Sequence, residues 1–66
     1  MTEIELAIMR HVARICGKPT TTPRIAALGI LRRLGEPVDE NVSEVDLEER
    51  LSNVPDNVLD DWHPPG

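Results

Sequence analysis

The chain contains no Phe and no Tyr, and its single Trp is Trp62. Its core must therefore be built from Ile, Leu, Val, Met and Ala, which are side chains that suit helices packed on helices. The same deficit removes the aromatic surfaces on which single-stranded nucleic-acid binders stack bases, so an RNA-recognition sheet and an oligonucleotide-binding barrel are disfavoured. We expect an all-α fold.

At 66 residues and 7.4 kDa, the chain has room for one small domain. Apolar residues make up 39% and charged residues 29%, which is ordinary for a folded soluble protein and argues against disorder throughout. We expect a single helical domain over residues 1–62. Residues 63–66, which include two prolines, are expected to form a frayed tail.

The first helix is predicted over residues 3–16. Thr2 and Glu5 are spaced as a capping box, in which the hydroxyl accepts from the third helical N–H and the carboxylate returns to the cap. Gly17 is placed to end the helix in a left-handed conformation. These signals at both ends define the first element of the fold.

The second helix is predicted over residues 24–34, after a cap at Thr22 and with Pro23 at the first helical position. Its apolar residues lie nearly all round, which is typical of a central helix that is touched on several sides. Gly29 falls in the middle. The leucine repeat across Gly29 favours one continuous helix over a break into two, and Gly35 suits the end.

A third helix is predicted after Ser43, which has Asp46 three residues on in a capping arrangement. Pro55 stops this helix, and Asp56–Trp62 is predicted to form a short fourth helix. The whole is a compact three-helix domain with a short fourth C-terminal helix. The apolar repeats predict a core of Ile4, Ile8, Val12, Ile15, Ile25, Leu28, Leu31, Leu34, Leu47, Leu51, Val58 and Leu59.

Charge is segregated along the chain. Six cationic residues against two acidic ones give residues 1–35 a net charge of +4, and one against ten gives residues 36–66 a net charge of −9. One interpretation is internal: the acidic half folds over the basic half and lowers self-repulsion. The others are an acidic face for a basic partner and a basic face for phosphates.

The first functional hypothesis is a small acidic protein-protein interaction module that docks on a larger protein with a basic surface. Small acidic proteins of phages and plasmids act in this way as modulators or inhibitors, some by imitating the charge of DNA, and this analogy is one of class only. The residues expected to contact the partner are Glu44, Glu48, Glu49, Asp60, Asp61 and Trp62.

We also expect the chain to self-associate. Leu6, Met9 and Ala13 lie on a side of the first helix that faces away from its main apolar stripe. The second helix is apolar on too many sides for three helices to cover. A second copy would hide this surplus, and a two-fold homodimer is the commonest arrangement.

The alternative hypothesis is a helix-turn-helix DNA-binding regulator that uses the basic half. If Gly29 were the turn glycine, residues 30–34 would begin a recognition helix, and Arg24, Arg32 and Arg33 would contact nucleic acid. This stretch lacks the Asn, Gln and Ser side chains that read base edges. The net charge of −5 also opposes phosphate affinity, so nucleic acid is the weaker expectation.

No motif specifies a reaction, a cofactor or a metal site. His11 and Cys16 are five residues apart on a helix, which does not place them side by side, and the chain has no CxxC or HxxxH spacing. We expect no enzyme activity. No apolar run approaches the roughly 18 residues of a membrane span, no signal peptide is recognisable, and the lone cysteine fits a reducing compartment, which together predict a cytoplasmic protein without membrane contact.

Overall fold

A computed structural model describes residues 1–65 of the chain. Its three helices are α1 (Glu3–Cys16), α2 (Pro23–Arg33) and α3 (Glu44–Ser52). Each helix packs against the other two, and residues 1–65 contain no strand. The all-α, three-helix architecture is thus confirmed. None of the three helices has the length and apolar character that a membrane span requires.

The capping box of α1 forms as the sequence predicts. The Thr2 hydroxyl accepts from the amide of Glu5 at 3.2 Å, and the Thr2 amide donates to the Glu5 carboxylate at 2.9 Å. These bonds from the Thr2 amide and hydroxyl hold the pKa of the Glu5 carboxyl below its ordinary value. At the other end Gly17 adopts φ 73°, and its amide donates to the carbonyl of Ala13.

Helix α2 runs continuously through Gly29, as the leucine repeat predicts. Pro23 occupies its first turn, but the Thr22 side chain makes no cap there. The Thr22 hydroxyl instead donates to the carbonyl of Pro65 at 3.0 Å. The expected side-chain cap at Thr22 is therefore wrong: its backbone, with φ −126° and ψ 76°, lies outside the extended conformation that Thr2 and Ser43 adopt at their caps.

The fourth helix is not present within residues 1–65. Residues 56–61 form turns, and Asn57 has a left-handed φ of 61° that a helix does not allow. The amides of Asn57 and Leu59 donate to the carbonyls of Arg14 and Ile15, at 2.9 and 3.1 Å. These donors satisfy the open C-terminal end of α1 rather than a helix of their own, which explains the correction.

The core lies among the three helices and matches most of the predicted positions. Three predicted core residues are exposed, namely Ile25 at 54%, Val58 at 41% and Leu34 at 37%, and Ile4 is half-buried. Apolar residues occur nearly all round α2, so the sequence does not determine which side of this helix faces the core. The apolar core also includes four positions that the prediction omitted: Cys16, Ala26, Ala27 and Ile30.

Candidate functional site

Helix α3 turns its apolar stripe of Leu47 and Leu51 into the core. At 100° per residue, Val45, Glu49 and Ser52 then point to the opposite side, which we call the α3 outer face. All three are exposed, and Val45 is 64% exposed. Val45 was not among the predicted site residues, although the helical spacing places an apolar residue opposite the core stripe.

Glu48 does not belong to this outer face. Its carboxylate lies 2.9 Å from Nε2 of His11, which joins α3 to α1. Nδ1 of His11 accepts from Nε of Arg14 at 3.0 Å, so the bonding pattern assigns the imidazole proton to Nε2. Both ring nitrogens are engaged, and His11 has no free nitrogen to act as a base or ligand.

Arg14 is the most heavily used cation of the basic half. Its guanidinium donates to the carbonyl of Leu51 at 2.8 Å, to the carbonyl of Val54 and to the carboxylate of Asp56 at 3.0 Å. One side chain on α1 thus holds both the end of α3 and the chain that follows it. The role of Arg14 was not predicted from the sequence.

Residues 54–65, the C-terminal segment, lie across the end of α1. The Lys18 ammonium donates to the carbonyls of Cys16, Asp60 and Trp62, at 3.1, 2.5 and 3.3 Å. Leu59 is the buried residue of this segment, at 8% exposure. The segment is therefore fixed by cations that bind its backbone and by a single fully inserted side chain.

Trp62 is partly buried and packs against the core beside α2. A Cβ atom at Gly29 would lie 2.8 Å from Cζ2 and 3.2 Å from Cη2 of the indole. Contacts of 2.8 Å are too short for carbon atoms, so the absence of a side chain at Gly29 is what admits the ring. Gly29 serves the close approach of an indole and marks no break in the helix.

The predicted acidic site residues divide between two elements. Glu44, Glu48 and Glu49 lie on α3, whereas Asp60 and Asp61 are exposed in the C-terminal segment. Two ion pairs occur in residues 1–65, joining Asp56 to Arg14 and Asp46 to Arg50, and the Glu48 carboxylate accepts a hydrogen bond from His11. Among these described residues, the carboxylates that make no ion pair include those of Glu44, Glu49, Asp60 and Asp61.

The residues of the DNA-binding alternative have different environments. Arg24 donates to the carbonyl of Glu40 at 2.6 Å and is thereby tied to the loop before α3. Arg32 and Arg33 are exposed at the end of α2, and no side-chain hydrogen bond or ion pair to them occurs within residues 1–65. Because α2 continues through Gly29, residues 30–34 do not form a separate recognition helix.

The remaining features of residues 1–65 are their possible metal ligands and an open surface depression. Over residues 1–65, no group of three or more His, Cys, Asp or Glu side chains is placed to hold a metal ion. An open depression between α1 and α3 is lined by Thr2, Glu3, Ile4, Ala7, Arg10 and Glu48. Its lining side chains carry both signs of charge.

Comparison of the chain with protein families, with curated proteins and with solved structures finds no match. The features of the chain that bear on its function are the α3 outer face, the carboxylates without ion pairs, and the C-terminal segment.

Proposed function

We propose that this protein is a small acidic binding module that docks on a larger protein with a basic surface. The observation that supports it is the use of the cations of the basic half. Lys18 and Arg24 donate to backbone carbonyls, and two of the hydrogen bonds of Arg14 also go to backbone carbonyls. The halves do pack together, yet most carboxylates of the acidic half are not neutralised by doing so.

The proposed contact surface combines charge with one apolar anchor. Val45 stands exposed on the α3 outer face, one turn from the carboxylate of Glu49. Carboxylates around such an anchor would steer a basic partner towards the surface and select against acidic ones. The anchor itself would supply affinity on desolvation, as the central residues of protein interfaces do.

A partner that normally binds nucleic acid would fit this charge pattern, because its phosphate-binding groove presents the required cations. The module would then act as a modulator or inhibitor that competes with DNA for that groove. We expect duplex DNA to displace the module from such a partner, with a midpoint that depends on salt.

The test is a matched comparison of immobilised variants in lysate from the native host. Val45→Ala combined with Glu49→Gln removes the anchor and one carboxylate while keeping helix-compatible residues. Arg10→Met is the control, since Arg10 is exposed on α1 away from the α3 outer face. We expect at least one protein to be retained by the wild type and by Arg10→Met, and lost from the double variant. Identical retention by all three would refute the proposed surface.

Exposed Arg32 and Arg33 are the observation that keeps DNA binding as a second candidate. Both lie at the end of α2, where cations are favoured by about 0.3–1 kcal/mol each through the helix dipole, and that role suffices to explain them. We expect no band shift with random duplex DNA at about 150 mM salt. Tight, salt-sensitive binding that an Arg32→Ala, Arg33→Ala double variant abolishes would establish the DNA-binding function instead.

We further propose that the protein forms a two-fold homodimer through α1. Leu6 is 43% exposed, and Met9 and Ala13 on the same side are half-buried. Helix α3 contacts α1 through His11, which lies on a different side of α1 from these three residues. The apolar side of α1 therefore lies away from the α3 outer face. A dimer built on it would leave both acidic surfaces open to partners.

A further inference from the structure

We propose that the C-terminal segment, residues 54–65, is a releasable strap that holds Trp62 against α2 and opens as a unit. In the closed state the indole lies over Gly29 and is partly buried against the core, so only part of its surface is open to a partner. In the open state Trp62 would stand free beside the carboxylates of Asp60 and Asp61. The segment would thus control whether one of the candidate partner-binding residues is presented.

The contacts that hold the C-terminal segment can be broken while the three helices stay folded. Two amides of the segment bond to the end of α1, and Lys18 binds two carbonyls farther along. Arg14 binds the carbonyl of Val54 and the carboxylate of Asp56, and the Thr22 hydroxyl binds the carbonyl of Pro65. All of these are hydrogen bonds or ion pairs at the surface of the helices. Most of its side chains are exposed, and Leu59 is the deeply buried exception. Segments with few buried apolar contacts and no internal helix open at a lower free energy than the core.

The close approach of the Trp62 indole to Gly29 makes the closed state sensitive to the addition of a Cβ atom at position 29. Ala has a higher helix propensity than Gly, so an Ala at position 29 would favour α2 as a helix. The same Cβ would lie 2.8 Å from the indole and push it away. One substitution therefore strengthens the helix and weakens the strap, which separates opening of the segment from loss of the fold.

The first measurement uses the wild-type chain and hydrogen exchange. We expect the amides of Asn57 and Leu59 to exchange at least about tenfold faster than the amide of Val12 in the middle of α1. Equal rates at all three sites would mean that the segment opens only when the whole domain unfolds. That result would overturn the proposal.

The second measurement uses two variants that act at different contacts. Gly29→Ala displaces the indole, and Lys18→Met removes the bonds to the carbonyls of Asp60 and Trp62. We expect both to shift tryptophan emission to longer wavelength, to increase acrylamide quenching and to speed exchange at Leu59, with helix content unchanged. Arg10→Met, which removes a cation elsewhere on α1, should leave all three readouts as in the wild type.

An emission shift in Gly29→Ala without faster exchange at Leu59 would show that the indole moves alone, and would contradict opening as a unit. The consequence for partner binding rests on the proposed function: a partner that takes Trp62 would bind Gly29→Ala more tightly than the wild type, because less opening free energy is paid. Opening is measured on the free chain, so it can fail or succeed independently of whether a protein partner exists.

Discussion

At the scale of single residues, Arg14 on α1 and Lys18 in the turn after it hold the acidic half of the chain against α1. Arg14 and Lys18 donate to backbone carbonyls of the acidic half, and this use of their charge was not visible in the sequence. Charge counts predicted attraction between the halves, but they do not say whether a guanidinium meets a carboxylate or a carbonyl. Only the fold, which places Leu51 and Val54 beside α1, settles that choice.

Replacing Arg14 tests how much its bonds to backbone carbonyls contribute to stability. Arg14→Met keeps much of the side chain's apolar length but removes the guanidinium bonds to the carbonyls of Leu51 and Val54; the Leu51 carbonyl still accepts from the amide of Val54. We expect the free energy of unfolding to fall by about 2 kcal/mol, as measured by urea denaturation. Arg10→Met, at an exposed site, should change it by less than about 0.5 kcal/mol. Equal midpoints for the two variants would show that the Arg14 contacts contribute nothing.

At the scale of elements, the ends of the helices were predictable where local chemistry decides them. The capping box of α1, the Ser43 cap of α3 and the Gly17 stop all form as expected. The fourth helix failed because its amides have better partners at the end of α1, which is a tertiary effect. The inward face of α2 was equally undetermined, since apolar residues on all its sides satisfy several orientations.

The capping box predicts a pH dependence. The folded-state pKa of Glu5 is lowered by its bonds from Thr2, so the unfolded chain binds the proton more readily. The stabilisation is present above the ordinary pKa of 4.5 and is lost as pH falls through the lower folded value. We expect Glu5→Gln to flatten this part of the stability profile, measured by thermal melts between about pH 5 and 3. An unchanged slope would contradict the assignment.

At the scale of the whole molecule, the apolar side of α1 around the exposed Leu6 predicts a homodimer. Light scattering coupled to gel filtration should give twice the 7.4 kDa mass of the chain for the wild type. Leu6→Glu should give the monomer, because it places a charge on the side that we expect to be covered. Val45→Glu, on the α3 outer face, should remain dimeric. A wild-type species of 7.4 kDa would rule out the dimer.

Folding leaves most carboxylates of the acidic half without an ion pair and facing solvent. Thermal unfolding as a function of ionic strength tests this without any partner. If the surface repels itself, raising NaCl from about 20 to 200 mM should screen that repulsion and raise the Tm. If the acidic half were neutralised by ion pairs with the basic half, the same salt would weaken those pairs. A Tm that falls with added salt would contradict the account.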